Sequence, residues 1–148
     1  MKKLLGIIVL SLLLCFPIQA KEGSGDLKFT SQSFNNFMKY LRGEGNDIGG
    51  VMMSSGMPVG FAINQKGNST YYYYCPKKFG DNCMPGGSIK AQSACTIQSK
   101  KNGQGRCFVF AKGRTIIWNG IYYKIKRKPL IKDIKALFAK NGWYGVAD

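Results

Sequence analysis

The run CFVFAKGRTIIWNGIYYKI, residues 107–125, decides how the rest of this chain folds. It reads as three short apolar strands joined by two two-residue turns. Asn119-Gly120 is the stronger turn, because a type I′ hairpin needs positive φ at both central residues and Asn-Gly accepts that best. Lys112-Gly113 is read as a second turn of the same length. With both turns in place, Val109, Ile116 and Tyr123 lie across from one another. So do Cys107, Trp118 and Ile121, and so do Ala111, Arg114 and Ile125. Strand side chains alternate between faces. One face then collects Cys107, Val109, Ala111, Ile116, Trp118, Ile121, Tyr123 and Ile125, and is expected to meet the core. The other carries Phe108, Phe110, Ile117 and Tyr122 beside Thr115 and Lys124. That mixed face is read as partly covered or used for contact.

Upstream, Ser88 is expected to cap a helix that runs to about Lys100 and stops at Asn102-Gly103. Cys95 closes that helix on a small-residue face with Ala91 and Ala94, within reach of Cys107. Discounting Cys15, the chain holds Cys75, Cys83, Cys95 and Cys107. An even number in an exported chain implies disulfides. The local pairings Cys75–Cys83 and Cys95–Cys107 are preferred among the three that four cysteines allow. A four-thiolate zinc site is disfavoured, because the close C-x₂₋₄-C pairs are missing.

Residues 1–20 read as a signal peptide. Lys2 and Lys3 precede an apolar run too short to span a membrane, and Ala20 offers a small residue for cleavage. Leu14 before Cys15 does not suit lipidation. Residues 21–29 read as a flexible lead-in, and residues 30–148 as one α+β domain. Thr30 or Ser31 caps a helix with Phe34, Phe37, Met38 and Leu41 on one face, ended by Gly43. The glycine-rich stretch 43–50 lacks the glycine and Lys-Ser/Thr positions of phosphate-binding loops. Its carboxylates, Glu44 and Asp47, read as solvated. Met52, Met53 and Met57 resemble a copper(I) thioether set, but methionine also fills gaps in ordinary cores. Val59–Ile63 and Thr70–Cys75 read as strands around a turn at 65–68. The tyrosines at 71–74 place two rings on each face, either as strand packing or as a stacking platform.

The chain carries 22 Lys and Arg against 7 Asp and Glu. Without Lys2 and Lys3 the balance is 20 against 7, a charge of +13. Such an excess favours anionic partners and says nothing about fold. Lys124, Lys126, Arg127 and Lys128 lead into a last helix opened by Pro129. Its apolar face is Leu130, Ile134, Leu137 and Phe138, and Lys132, Lys135 and Lys140 carry charge. That helix suits an anionic membrane, a polyanion, or packing on the sheet with solvated lysines. The sequence contains no histidine, which removes triads and imidazole acid–base chemistry. A Cys or Ser nucleophile with a Lys base remains, but the cysteines are committed to bridges. No catalytic residue, metal site or cofactor is expected.

Tyr74-Cys75-Pro76, Cys83, Cys95 and the run from Cys107 to Trp118 together resemble a group of small exported bacterial proteins. These share a Phe-Ala-Ile strand (here Phe61-Ala62-Ile63), a Tyr-Cys turn, a helix ending near a cysteine, and a C-x-[IV]-F-A-x-G-R-x-[IV]-x-W strand pair. The likeness covers residues 59–119. It implies an α+β fold with local disulfides and brings no established activity, so no site residue is carried over from it.

The expectation is therefore an exported, periplasmic or secreted α+β protein, with about five antiparallel strands, covering helices and two disulfides. Its expected role is non-enzymatic binding of an anionic envelope component: lipid, polysaccharide or another polyanion. An inhibitor or accessory protein of a secreted enzyme is the alternative. Nucleic acid is not an expected partner, nor is a transmembrane span after signal cleavage. The candidate contact residues are Tyr72, Tyr74, Phe108, Phe110 and Tyr122, with Lys124, Lys126, Arg127 and Lys128.

Overall fold

A computed structural model describes residues 21–44, 56–76 and 86–144. Residues 1–20, Met52, Met53, Asp47 and Cys83 lie outside the described residues. The described chain is α+β, with helices α1 (Ser31–Arg42), α2 (Gly87–Lys101) and α3 (Ile131–Lys140). The strands are β1 (Gly56–Asn64), β2 (Thr70–Pro76), β3 (Cys107–Lys112), β4 (Thr115–Trp118) and β5 (Ile121–Lys124). They form one antiparallel sheet in the order β2-β1-β3-β4-β5.

The meander is present and its second turn is as expected. Trp118 pairs with Ile121, and Asn119 and Gly120 have φ of 53° and 73°. The first turn falls one residue later than read from sequence. Ala111 pairs with Ile116 and Lys112 with Thr115, so the loop is Gly113-Arg114. Gly113 has φ 54°, while Arg114 is on the negative side. Positive φ at the first central position is the type II′ pattern, which wants glycine there. Lys112 is thereby freed to remain in the strand.

The expected faces also change. Between β1 and β3 the register shifts: Phe61 pairs with Ala111, but Ala62 pairs with Val109. Phe110 is the extra residue of a β-bulge, which breaks strict alternation. Cys107 packs toward α2 with Ala62, Ala91 and Cys95. Val109, opposite Ala62, shares that face. Phe110, Ala111, Ile116 and Trp118 pack on the other face with α1 and α3, and Phe108 joins them at the edge. Phe110 is thus a fully buried core residue rather than a contact residue, and Phe108 is partly buried against the core.

That second face holds an aromatic core. Phe29, Phe37 from α1, Phe110 from β3 and Phe138 from α3 all touch one another, with ring centroids 4.7–6.1 Å apart. Edge-to-face pairs of this kind add about 0.5–1.5 kcal/mol each beyond area burial. The expected α1 face is buried, and Tyr40 is buried with it. Thr30 caps α1 by accepting from the Ser33 N–H, and Gly43 ends it at φ 72°. Tyr72 and Tyr74 pack on the aromatic side, Tyr71 and Tyr73 on the α2 side. Two rings per face is as read, and the sheet-packing explanation holds for Tyr72, which is 5 % exposed.

On the α2 face, Gly87, Ala91, Cys95 and Ser99 form a buried stripe at four-residue spacing. Small side chains let the helix come close to β1; a Cβ on Gly60 would reach the Ser88 backbone at 2.5 Å. Ser88 is not the cap. Gly86 holds that position at φ 96°, and the Ser88 hydroxyl donates to the Val59 carbonyl at 3.3 Å. Cys95 and Cys107 are bonded, with Cα atoms 5.8 Å apart. The bridge excludes a four-thiolate zinc site and adds about 2–4 kcal/mol. It is the one disulfide seen among the described residues. Cys75 is also disulfide-bonded, but Cys83, its expected partner, lies outside the described residues.

Residues 21–29 are not a free lead-in. β3 and β4 pair only next to their turn, and residues 21–25 run into the gap where they diverge. The Val109 N–H donates to the Lys21 carbonyl at 3.0 Å, and the Asn119 N–H to the Gly23 carbonyl at 3.0 Å. The Trp118 indole donates to the Gly25 carbonyl at 2.9 Å. Leu27 and Phe29 then enter the core. The physical reason is that diverging strands leave buried N–H and C=O groups that need partners. A Cβ on Gly23 would overlap the Trp118 ring. Gly23→Val is therefore expected to lower stability by about 1–3 kcal/mol, read as a lower urea midpoint with an unchanged slope.

Candidate anion-binding groove

The charged residues that follow β5 do not stand alone. The chain leaves the sheet at Ile125, whose N–H donates to the Arg114 carbonyl at 2.8 Å. This anchors the 124–129 segment beside the β3–β4 turn. Arg114 in turn donates from Nη1 to the Lys126 carbonyl at 3.4 Å. The C-terminal end of α1 brings Arg42 to the same place. The result is an open groove of about 1070 Å³ walled by Arg42, Arg114, Lys124, Lys126, Arg127 and Lys128. Met57, Pro58, Ile125 and Pro129 supply apolar wall. No carboxylate lines it among the described residues.

The electrostatics follow from that composition. Arg42 has a partial partner in Glu44 at 3.7 Å. Among the described residues, the other five cations of the groove have no ion pair. Burial holds the Arg114 guanidinium below its ordinary pKa, and like charge on Arg127 lowers it further. Arginine stays protonated, so the groove holds a partly desolvated cation beside a like charge, and an anion bound there would relieve both costs.

The turn that carries Arg114 is fixed from below. The Tyr40 hydroxyl donates to the Gly113 carbonyl, and Tyr40 itself is fully buried among Phe37, Phe61 and Tyr72. Packing thus sets the position of the Arg114 backbone before any ligand arrives.

Of the residues singled out from sequence, the structure brings Lys124, Lys126, Arg127 and Lys128 together in the groove. Tyr72 and Phe110 belong to the core instead, and Tyr74 and Phe108 pack against it, partly buried. Tyr122 is 68 % exposed, on the other face of the sheet from Ile116 and Trp118. Its hydroxyl donates to Glu22 Oε2 at 3.2 Å, and Glu22 also pairs with Lys112 at 3.2 Å. It is therefore apart from the groove. Met57 is an exposed groove residue. Sequence reading missed Arg42 and Arg114. The Gly-X order of a type II′ turn was the signal that would have placed Arg114 at a turn rather than in a strand.

No family model, curated protein or solved structure matches this chain. The groove is accordingly interpreted on its own chemistry.

Tyr40 provides a pH test of this support. Burial drives its phenol well above the ordinary value, with Arg114 pulling slightly the other way. Tyr72 is pushed up to about 12, by burial first and then by Tyr74 and Glu44. A phenol that binds its proton more tightly when folded contributes fully below the unfolded pKa, about 10. The contribution is lost as pH rises from there through the folded value. Stability in urea is expected to fall between about pH 10 and 12. Tyr40→Phe should make that fall shallower, while costing about 1–2 kcal/mol at pH 7 through the orphaned Gly113 carbonyl.

Proposed function

We propose that this protein is an exported, non-enzymatic binder of an anionic component of the cell envelope, and that the groove around Arg114 and Arg127 is where it binds. The observation that carries this reading is the convergence of six cations on one open groove with no lining carboxylate among the described residues. Exposed surface lysines would be expected to scatter or to find acidic neighbours. Here they gather around Arg114, whose guanidinium donates to the Lys126 carbonyl and whose own carbonyl accepts from the Ile125 N–H. A planar guanidinium presents paired donors that match phosphate, sulfate and carboxylate groups. Lys124, Lys126 and Lys128 add charge that attracts the ligand over a Debye length.

Two further features support the same reading. The Cys95–Cys107 disulfide is compatible with an exported protein. Among the described residues, the groove is lined by arginines, lysines and apolar residues. That lining suits recognition of charge, which is what the proposal of a binder rests on.

The test uses a soluble polyanion. The protein is expected to bind fluorescent heparin or polyphosphate, with affinity falling steeply as salt rises from about 0.05 to 0.2 M. Arg114→Gln combined with Arg127→Gln should weaken binding about tenfold or more. Lys100→Gln combined with Lys101→Gln, at the far end of α2, should change it less than about twofold. Absence of binding by the wild type, or equal losses in both variants, would refute the groove as the site.

A further inference from the structure

The start of α3 departs from what water-exposed helices prefer. Leu130 occupies the N-cap position and makes no side-chain cap hydrogen bond. Ser, Thr, Asp or Asn usually stands there. Leu130 is 57 % exposed and Ile131, the first helical residue, is 44 % exposed. Leu130 was expected from sequence on the buried helix face. The core instead takes Ile134 and Phe138, with Leu137 packed at its edge. Two large aliphatic side chains are thus presented to solvent at a helix start.

Their surroundings are basic on both sides. Pro129 and Lys128, just before them, belong to the groove of Arg114 and Arg127. Ile131 lines a second depression of about 470 Å³ between α1 and α3, together with Lys39, Arg42 and Lys135. Arg42 lines both. The chain therefore places an apolar ridge between two cationic depressions that share one arginine. Asp133 and Glu44 are the carboxylates close to this ridge in the described chain. Tyr144, 36 % exposed, lines the second depression as well. Aliphatic residues ringed by Lys and Arg with a nearby tyrosine suit the boundary between headgroups and acyl chains.

We propose that the anionic partner is a lipid bilayer surface, engaged with Leu130 and Ile131 dipped into the headgroup region and anionic headgroups seated in the two depressions. This rests on the anion-binding reading of the Arg114 groove. Charge complementarity is what selects the occupant. A soluble polyanion would satisfy the cations but leave the aliphatic ridge in water, whereas an anionic membrane satisfies both. No described helix is long and apolar enough to cross a membrane.

The experiment is vesicle co-sedimentation of the folded protein, with phosphatidylglycerol-containing vesicles compared with phosphatidylcholine alone. Wild type is expected on the anionic vesicles at low salt and not on the neutral ones. Leu130→Ser combined with Ile131→Ser should weaken partition about tenfold or more, while leaving heparin affinity within about twofold. Both side chains are largely exposed, so folding is expected to survive, with circular dichroism as the check. Leu130→Trp gives an independent readout. Native Trp118 and Trp143 are buried, so a blue shift on adding anionic vesicles reports the new indole entering the membrane. Heparin binding without vesicle binding would overturn the lipid assignment and leave the groove standing. Unchanged vesicle binding by the serine variant, or no blue shift, would overturn insertion of the ridge. Loss of both heparin and vesicle binding in the wild type would overturn both readings.

Discussion

The β-bulge at Phe110 is the constraint on which the rest of this fold depends. A strand of period two can serve one layer with one set of residues and a second layer with the alternate set. β3 must do more, because it bonds to α2 through Cys107 and also anchors the aromatic core beneath α1 and α3. Inserting one residue opposite β1 lets Phe110 and Ala111 both turn toward the aromatic side, while Cys107 and Val109 remain on the α2 side. Phe110 then meets Phe29, Phe37 and Phe138 at centroid distances of 4.9, 5.3 and 5.8 Å. Four separate segments of the chain are joined at that point.

The same irregularity accompanies the opening between β3 and β4. Pairing between them is confined to the residues beside the turn, and residues 21–25 supply the hydrogen bonds that the diverging strands lack. Gly23 is needed there because Trp118 leaves no room for a side chain. At the other end, the short pairing leaves the Gly113-Arg114 turn resting on Tyr40. Core packing therefore determines where Arg114 stands, and through its hydrogen bond to the Lys126 carbonyl it also holds the basic segment in place. The groove is a consequence of the core rather than an addition to it.

Four of the six cations of the candidate site were legible in the sequence. Lys124, Lys126, Arg127 and Lys128 are contiguous enough to be noticed as a charge cluster. Arg42 and Arg114 were not legible, because each is remote in sequence and reaches the groove only through a helix end and a turn. The aromatic candidates failed for a related reason. A ring on a strand looks the same in sequence whether it faces solvent or core, and one bulge was enough to invert the reading of Phe108 and Phe110. Leu130 failed in the opposite direction: its helical spacing suggested burial, but α3 begins one residue after it.

By itself, the sequence determined the α+β class, the order of helices and strands, the Asn119-Gly120 hairpin, the Cys95–Cys107 bridge and the excess of positive charge. These are set by local rules: side-chain periodicity, turn residues that tolerate positive φ, and cysteines close enough along the chain to meet. The tertiary structure alone decided which face each residue of β3 serves, that residues 21–29 belong to the sheet and core, and which cations share a groove. Those outcomes depend on pairing between distant segments. A bulge is visible only against its partner strand, and like charges are brought together only when core packing outweighs their repulsion.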